Sequence, residues 1–175
     1  MGAKVTLVAG PVALPTPPGV ERIDVETAEE MANAVFSALP ADGAILVAAV
    51  ADWRVEPSLT KLKKGSGPPR LHFLPTRDIL AELGASEVRP RLLVGFAAET
   101  DDVVPRAIDK RRAKKADWIL ANDVSGDVMG GHRNQVHLVT AEGVEDWPEG
   151  SKEEVALRLI DRVAAELADI ERAAS

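Results

Sequence analysis

An apolar run that ends in an acid is the clearest starting point for chemistry in this sequence. Residues 44–50, AILVAAV, are typical of a strand buried on both faces, and Asp52 follows almost at once. Ligands of open parallel sheets bind beyond the carboxyl ends of the strands, which is where this order predicts the Asp52 carboxylate. Taken alone, however, Asp52 is more typical of a turn or a helix cap.

Three lysines follow Asp52 in a loop with hinge residues on both sides. They are Lys61, Lys63 and Lys64, and they lie between Pro57 and the segment GSGPP. Glycine and proline hinges are typical of a flap that closes over a ligand, and lysines would suit an anionic one. A solvated, charged surface loop is the alternative interpretation.

Further candidates lie where later strands and helices end. Phe96 could lie against a base or pack in the core. Lys110 and Lys114 are four residues apart and share one helix face, although the helix dipole alone favours lysines in a last turn. Asn122 and Asp123 end another strand. An acid, a lysine flap, a basic helix and an aromatic together suggest a nucleoside triphosphate site that lacks the phosphate loop G-x-x-x-x-G-K-[ST].

Short apolar runs alternate with helical periodicity, which predicts an α/β, Rossmann-like fold with a mainly parallel sheet flanked by helices. The predicted strands span residues 4–10, 20–25, 44–50, 91–99, 117–123 and 135–140. The predicted helices span residues 27–39, 77–83 and 102–115, with a last helix from 151. Capping boxes, Thr27 with Glu30 and Ser151 with Glu154, indicate two of the helix starts. The last helix carries an apolar stripe expected to face the core: Ala156, Leu159, Ile160, Val163, Leu167 and Ile170.

Composition limits the classes of function. A chain of 175 residues with 46% hydrophobic content suits a single domain over residues 1–175. A net charge of −7 argues against a nucleic-acid partner, whereas a small phosphorylated ligand needs only a local basic patch. No apolar run reaches the roughly 18 residues of a membrane span, so no membrane partner is expected. The absence of cysteine fits a cytoplasmic protein, and the three histidines show no metal-ligand spacing.

Several segments, in unbroken order along nearly the whole chain, resemble the phosphopantothenate-cysteine ligase family, the C-terminal synthetase half of the bacterial bifunctional coenzyme A biosynthesis flavoprotein. The segments are LVAGPVALPTPPGVERIDVETAEEM, AAVADWR, KLKK, GFAAET, a K-x-x-x-K pair ahead of a strand, and ANDVS. Each segment alone is weakly specific, but the ordered set is highly specific.

The resemblance implies an enzyme that joins 4′-phosphopantothenate to L-cysteine with CTP and Mg²⁺, through an acyl-cytidylate intermediate. It implies that Lys61 is the flap lysine over the site and acts in catalysis. The nucleotide contacts that it implies are Asp52, Lys61, Thr76, Arg77, Asp78, Ile79, Phe96 on the base side, and Lys110 and Lys114 on the phosphate side. The ligands of Mg²⁺ stay unassigned. The resemblance also implies a homodimer that is fused to, or associated with, the phosphopantothenoylcysteine decarboxylase.

The sequence departs from the family pattern in two places. Thr76-Arg77 stands where the family usually has Asn-Pro. The Gly-Gly-Thr strand and the Asn-x-Ser-Ser-Gly turn that open the family are missing, so the first βα unit is expected to be absent and the chain to be a fragment. A non-catalytic CTP-binding module is therefore the alternative function. An NAD(P)-binding oxidoreductase is a weaker third, because the sequence has no G-x-G-x-x-G.

Overall fold

The computed structural model describes residues 2–57, 71–124 and 135–174, which form a mixed α/β fold. The strands are β1 Val5–Ala9, β2 Val20–Asp24, β3 Gly43–Leu46, β4 Trp53–Val55, β5 Phe73–Pro75, β6 Leu92–Glu99, β7 Trp118–Asp123, β8 Val136–Val139 and β9 Val144–Asp146. The helices are α1 Ala28–Ser37, α2 Ile79–Ala85, α3 Val103–Lys114 and α4 Lys152–Ala173. Within these described ranges, no helix is long and apolar enough to cross a membrane.

The largest sheet has five strands in the order β3-β6-β7-β8-β9. Strands β3, β6 and β7 run parallel, whereas β8 and β9 join by antiparallel pairing. At the carboxyl ends of β6 and β7, the register places Asn122 beside Ala98 and Asp123 beside Glu99. Asn122 and Asp123 of the ANDVS segment therefore lie at the sheet edge that the sequence predicts.

Helices cover both faces of this sheet. On one face, Leu93 and Ile119 pack in a buried cluster that also contains Ala32 of α1, Leu83 of α2 and Ala107 of α3. On the other face, a second cluster joins strand residues to Leu159 of α4, and its strand members include Leu92, Val94, Trp118, Leu120 and Leu138. Neighbouring residues of β6 thus alternate between the two clusters, as the pleat of a strand requires. The predicted fold class, a mainly parallel sheet flanked by helices, is confirmed.

The local signals at two helix starts are confirmed. Thr27 accepts a hydrogen bond from the amide of Glu30, and the Glu30 carboxylate accepts one from the amide of Thr27. Ser151 and Glu154 make the same reciprocal pair at the start of α4. Each box satisfies amides that a helix start leaves without a partner.

The prediction of a strand covered on both faces over residues 44–50 is wrong. Strand β3 ends at Leu46, and the following Val47 is 61% exposed. Within the described residues β3 pairs only with β6, while β1 and β2 form a separate parallel pair. Ala44 and Leu46 pack against the cluster on one face, whereas Ile45 is exposed on the other and Val47 lies beyond the end of the strand, so the described residues cover only one face of β3.

Two small strands, β4 and β5, form an antiparallel ribbon that the sequence analysis does not predict. The register pairs Trp53 with Pro75 and Val55 with Phe73, so these four side chains share one face of the ribbon. Trp53 is 62% exposed and Phe73 is 60% exposed. This ribbon face is therefore apolar and open to solvent.

The expected core stripe of α4 is only partly correct. Leu159 is buried, and Val155, Val163 and Leu167 pack against its cluster, whereas Ile160 is 40% exposed. The contact line thus follows residues four apart along the helix, and Ala156 and Ile160 lie one position to its side.

Candidate functional site

Asp78 connects two helices beside the sheet. As the N-cap of α2, it accepts a hydrogen bond from the amide of Ala81 at 3.0 Å. Its second carboxylate oxygen accepts a hydrogen bond from the Lys114 ammonium at the end of α3. Partial burial opposes ionisation, but the bonds from Lys114 and Ala81 outweigh it and lower the pKa of Asp78. Asp78 is therefore an anion at neutral pH.

Lys110, one turn before Lys114, contacts the central sheet. Its ammonium donates a hydrogen bond to the carbonyl oxygen of Phe96 at 2.9 Å. Its charge also contributes to the lowered pKa of Asp78. Asp78, Lys110 and Lys114 are thus brought together between α2, α3 and β6.

The side chain of Phe96 points away from Lys110 and Asp78. It lies within β6, three residues before the strand ends, and its half-buried side chain packs against the cluster on the α4 face. Its carbonyl, not its ring, belongs to the group of Lys110 and Asp78. Core packing thus accounts for the ring in the described structure, and its contact with a base stays a prediction.

Thr76 ties the segment before α2 to the loop after β3. Its amide donates to the carbonyl of Asp52 at 2.9 Å, and its hydroxyl donates to the carbonyl of Ala51. The side chain of Asp52 is exposed. These two bonds join the residues just before β4 to the residue just after β5. They therefore hold Asp52 next to Thr76, which is two residues from Asp78.

Arg77 and Ile79 use their side chains to hold the structure. The Arg77 guanidinium bonds to residues of α1 and α2, and Ile79 is buried in the cluster below them. A nucleotide bound along residues 76–79 would therefore meet the backbone of Ile79. Lys61, Lys63 and Lys64 lie outside the described residues, so the flap and the catalytic role of Lys61 stay predictions.

Sequence reasoning missed the residues that position this segment. Glu29 and Asn33 on α1 and Glu82 on α2 hold Arg77. Gly84 lets α2 approach α3, because a Cβ atom there would overlap the carbonyl oxygen of Lys114 and lie 3.1 Å from its carbon. Gly84 directly follows the predicted helix over residues 77–83, where a glycine is typical of a helix end, so the sequence carried no signal for this contact.

The arrangement offers a local basic patch in an acidic protein. The ammonium groups of Lys110 and Lys114 both lie near Asp78, and ammonium groups suit the binding of phosphate oxygens. Within residues 2–57, 71–124 and 135–174, no three Asp, Glu or His side chains gather into a cation site.

Comparison with known proteins adds to this geometry. The chain is 40% identical over 174 residues to the coenzyme A biosynthesis bifunctional protein CoaBC of Vibrio parahaemolyticus, covering 93% of the chain and 42% of the relative. It is also 40% identical over 169 residues to a cysteine/cysteine sulfinic acid decarboxylase of an unknown prokaryotic organism, covering 93% of the chain and 47% of that protein. The chain thus spans less than half the length of these curated relatives.

A solved structure and a family assignment agree with these matches. The crystal structure of the C-terminal domain of the coenzyme A biosynthesis bifunctional protein CoaBC superimposes with a TM-score of 0.79 at 35% identity, covering 96% of this chain and 76% of that one. Residues 1–167 match a single family description, the C-terminal domain of the DNA/pantothenate metabolism flavoprotein. The chain therefore belongs to the DNA/pantothenate metabolism flavoprotein C-terminal domain family.

Proposed function

We propose that the chain is a phosphopantothenate-cysteine ligase that uses CTP and Mg²⁺ in coenzyme A biosynthesis. Its similarity to the C-terminal domain of CoaBC supports the assignment to this pathway. The observation that carries the nucleotide site is the joining of Lys110, Lys114 and Asp78 between α2, α3 and β6. The homodimer and the fusion or association with a decarboxylase belong to the same proposal.

The chemistry explains why such a site needs cations and no protein nucleophile. The carboxylate of 4′-phosphopantothenate attacks the α-phosphorus of CTP, and pyrophosphate leaves. The amine of L-cysteine then attacks the acyl carbon of the resulting acyl-cytidylate, CMP leaves, and the amine loses a proton. Charge moves among phosphate oxygens in the first step, so ammonium groups and Mg²⁺ stabilise it electrostatically.

In this proposal the residues of the site divide between those that bind the nucleotide and those that position the binding groups. Lys110 and Lys114 bind the triphosphate, and Asp52 with Thr76 holds the nucleoside end of the segment. Asp78 keeps Lys114 ordered beside α2 before the ligand arrives. The triphosphate then competes with Asp78 for the Lys114 ammonium. Lys61, which lies outside the described residues, would close over the site as the flap lysine.

Pyrophosphate and CMP release test the proposed reaction. The chain is supplied with CTP, Mg²⁺, 4′-phosphopantothenate and L-cysteine, and each substrate is omitted in turn. The proposal expects pyrophosphate to require CTP and 4′-phosphopantothenate, and CMP to appear in addition only with L-cysteine. Lys110→Gln and Lys114→Gln should each lower both rates. Release of both products without L-cysteine would contradict the ligase assignment.

A second candidate is a CTP-binding module without ligase activity. One relative, at the same 40% identity as CoaBC, is named a cysteine/cysteine sulfinic acid decarboxylase. A region similar to this chain thus also occurs in a protein named for a different activity, which favours a domain that binds the nucleotide without ligating. Calorimetric titration separates the two candidates. Binding of CTP with no pyrophosphate release would support the module, whereas tighter binding of NAD(P)H than of CTP would exclude both.

A further inference from the structure

We infer that Arg77 is a positioning residue of the candidate nucleotide site and does not itself contact the nucleotide. The inference rests on the proposed function, because it assigns Arg77 a place in that site. It differs from what the sequence resemblance implies, which is a nucleotide contact at residue 77.

All three nitrogens of the Arg77 guanidinium already have partners. Nε lies 3.1 and 3.0 Å from the two carboxylate oxygens of Glu82, and one terminal nitrogen also bonds to Glu82. The other terminal nitrogen bonds to Asn33 at 3.0 Å and to Glu29 at 3.4 Å. The guanidinium also lies 5.4 Å from the centre of the Phe36 ring. The hydrogen bond to Glu82 is the main cause of the raised pKa of Arg77.

These partners form a clamp between two helices. Glu29, Asn33 and Phe36 belong to α1, whereas Glu82 belongs to α2. Arg77 stands immediately before the N-cap of α2, so its side chain fixes the start of α2 against α1. The Arg77 clamp is defined here by these five residues.

The Arg77 clamp completes the anchoring of three successive residues. Thr76 is bonded to the loop that contains Ala51 and Asp52, and Asp78 is bonded to Lys114 of α3. Arg77 lies between them and is bonded to α1. The backbone that presents Asp78 is thus held from three parts of the fold, and loosening the middle contact would shift Asp78 and Lys114.

Electrostatics argue against a direct contact with phosphate. Two carboxylates, Glu29 and Glu82, face the one guanidinium. If Arg77 turned to a triphosphate, both carboxylates would lose their cation close to added negative charge. Lys114 has one carboxylate partner, Asp78, whereas Arg77 has two, so drawing Arg77 to the triphosphate would leave more negative charge without a cation than drawing Lys114 would.

The test compares Arg77→Gln and Glu82→Gln with Arg162→Gln. Arg162 is a matched control on the opposite face of the sheet, because it bonds to Glu145 at 2.8 Å and lies 5.6 Å from the Trp118 ring. We expect Arg77→Gln and Glu82→Gln each to weaken CTP binding by roughly tenfold, which is about 1.4 kcal/mol of binding free energy. Arg162→Gln should leave CTP affinity unchanged. Unchanged or tighter binding by Glu82→Gln, with loss in Arg77→Gln, would mark Arg77 as a direct ligand and overturn the inference.

A readout without nucleotide keeps this test separate from the proposed function. Amide hydrogen exchange reports whether the amides of Thr76 and Ala81, which bond to Asp52 and Asp78, keep their protection. Positioning predicts faster exchange at both amides in Arg77→Gln and Glu82→Gln than in Arg162→Gln. Equal protection in all three variants would overturn the inference. Failure of the parent chain to bind CTP would contradict the proposed function, and the exchange result would still decide the role of the Arg77 clamp.

Discussion

Replacing Gly84 by alanine gives a prediction in which two effects of opposite sign compete. Alanine is favoured over glycine inside a helix by about 1 kcal/mol, so helix propensity alone predicts a more stable protein. A Cβ atom at this buried position, however, would overlap the backbone carbonyl oxygen of Lys114. A backbone carbonyl cannot rotate away as a long side chain can, so α2 must move from α3.

The magnitudes decide the sign. Forcing an extra carbon into a packed contact costs typically about 1–3 kcal/mol, which at its middle and upper range exceeds the gain of about 1 kcal/mol from propensity. A packing cost of about 2–3 kcal/mol, less the propensity gain of about 1 kcal/mol, leaves a net loss. We therefore expect Gly84→Ala to lower the free energy of unfolding by about 1–2 kcal/mol. In a chain of this size each 1 kcal/mol lowers Tm by roughly 2–4 °C.

Urea unfolding of Gly84→Ala and of Ala165→Gly measures the two effects separately. Ala165 is exposed within α4, so its replacement reports helix propensity without a packing change. Both variants should be less stable than the parent, although they change composition in opposite directions. Because α2 carries Asp78, Gly84→Ala should also weaken CTP binding, whereas Ala165→Gly should not. A Gly84→Ala protein as stable as the parent, or more so, would refute the packing argument.

Three other predictions concern charge, assembly and the flap. Folding lowers the pKa of Asp78 below its ordinary value of 3.8, so the stability that the ionised carboxylate contributes is present above pH 3.8 and is lost as pH falls through the lower pKa of the folded state. Asp78→Asn should therefore flatten the acid side of a curve of unfolding free energy against pH. An unchanged curve would contradict this. Trp53→Asp places a charge on the apolar face of the ribbon and should convert the proposed homodimer to monomer in sedimentation velocity; a dimer that survives the change would rule out this face as the interface. Lys61→Gln should weaken nucleotide binding and leave the free energy of unfolding within about 0.5 kcal/mol of the parent. An equal loss of binding in Lys152→Gln, on α4, would show that bulk charge is responsible.

Local signals in the sequence predicted much of the fold. The capping boxes at Thr27 and Ser151 mark helix starts because the donors and acceptors lie within three residues of each other. The central strands β6 and β7 were predictable because their apolar runs are buried on both faces. In such elements the residues that determine the structure are neighbours in the chain.

Features that depend on distant partners were not predictable in the same way. The three-residue strands β4 and β5 are too short to show a period and pair across a long stretch of chain. The apolar run after Ala44 suggested a strand as far as residue 50, but β3 ends at Leu46, where its pairing with the distant strand β6 stops, and Val47 is exposed. Glu82 lies five residues from Arg77, but Asn33 and Glu29 lie 44 and 48 positions away, so the chain around Arg77 does not indicate that its side chain is tied to α1. The type and spacing of Lys110 and Lys114 marked them as candidates, whereas their contacts with Phe96 and Asp78 required the fold.

The contact between Gly84 and Lys114 has a consequence for conformational entropy. Lys114 meets α2 twice, through its carbonyl at Gly84 and through its ammonium at Asp78. Those two points are six residues apart, or about 9 Å along a helix with a rise of 1.5 Å per residue. A free lysine side chain loses up to about 2 kcal/mol of rotamer entropy when a ligand orders it. Folding already confines the Lys114 side chain along α2. A phosphate that takes the place of Asp78 would therefore bind a side chain that has little rotamer entropy left to lose.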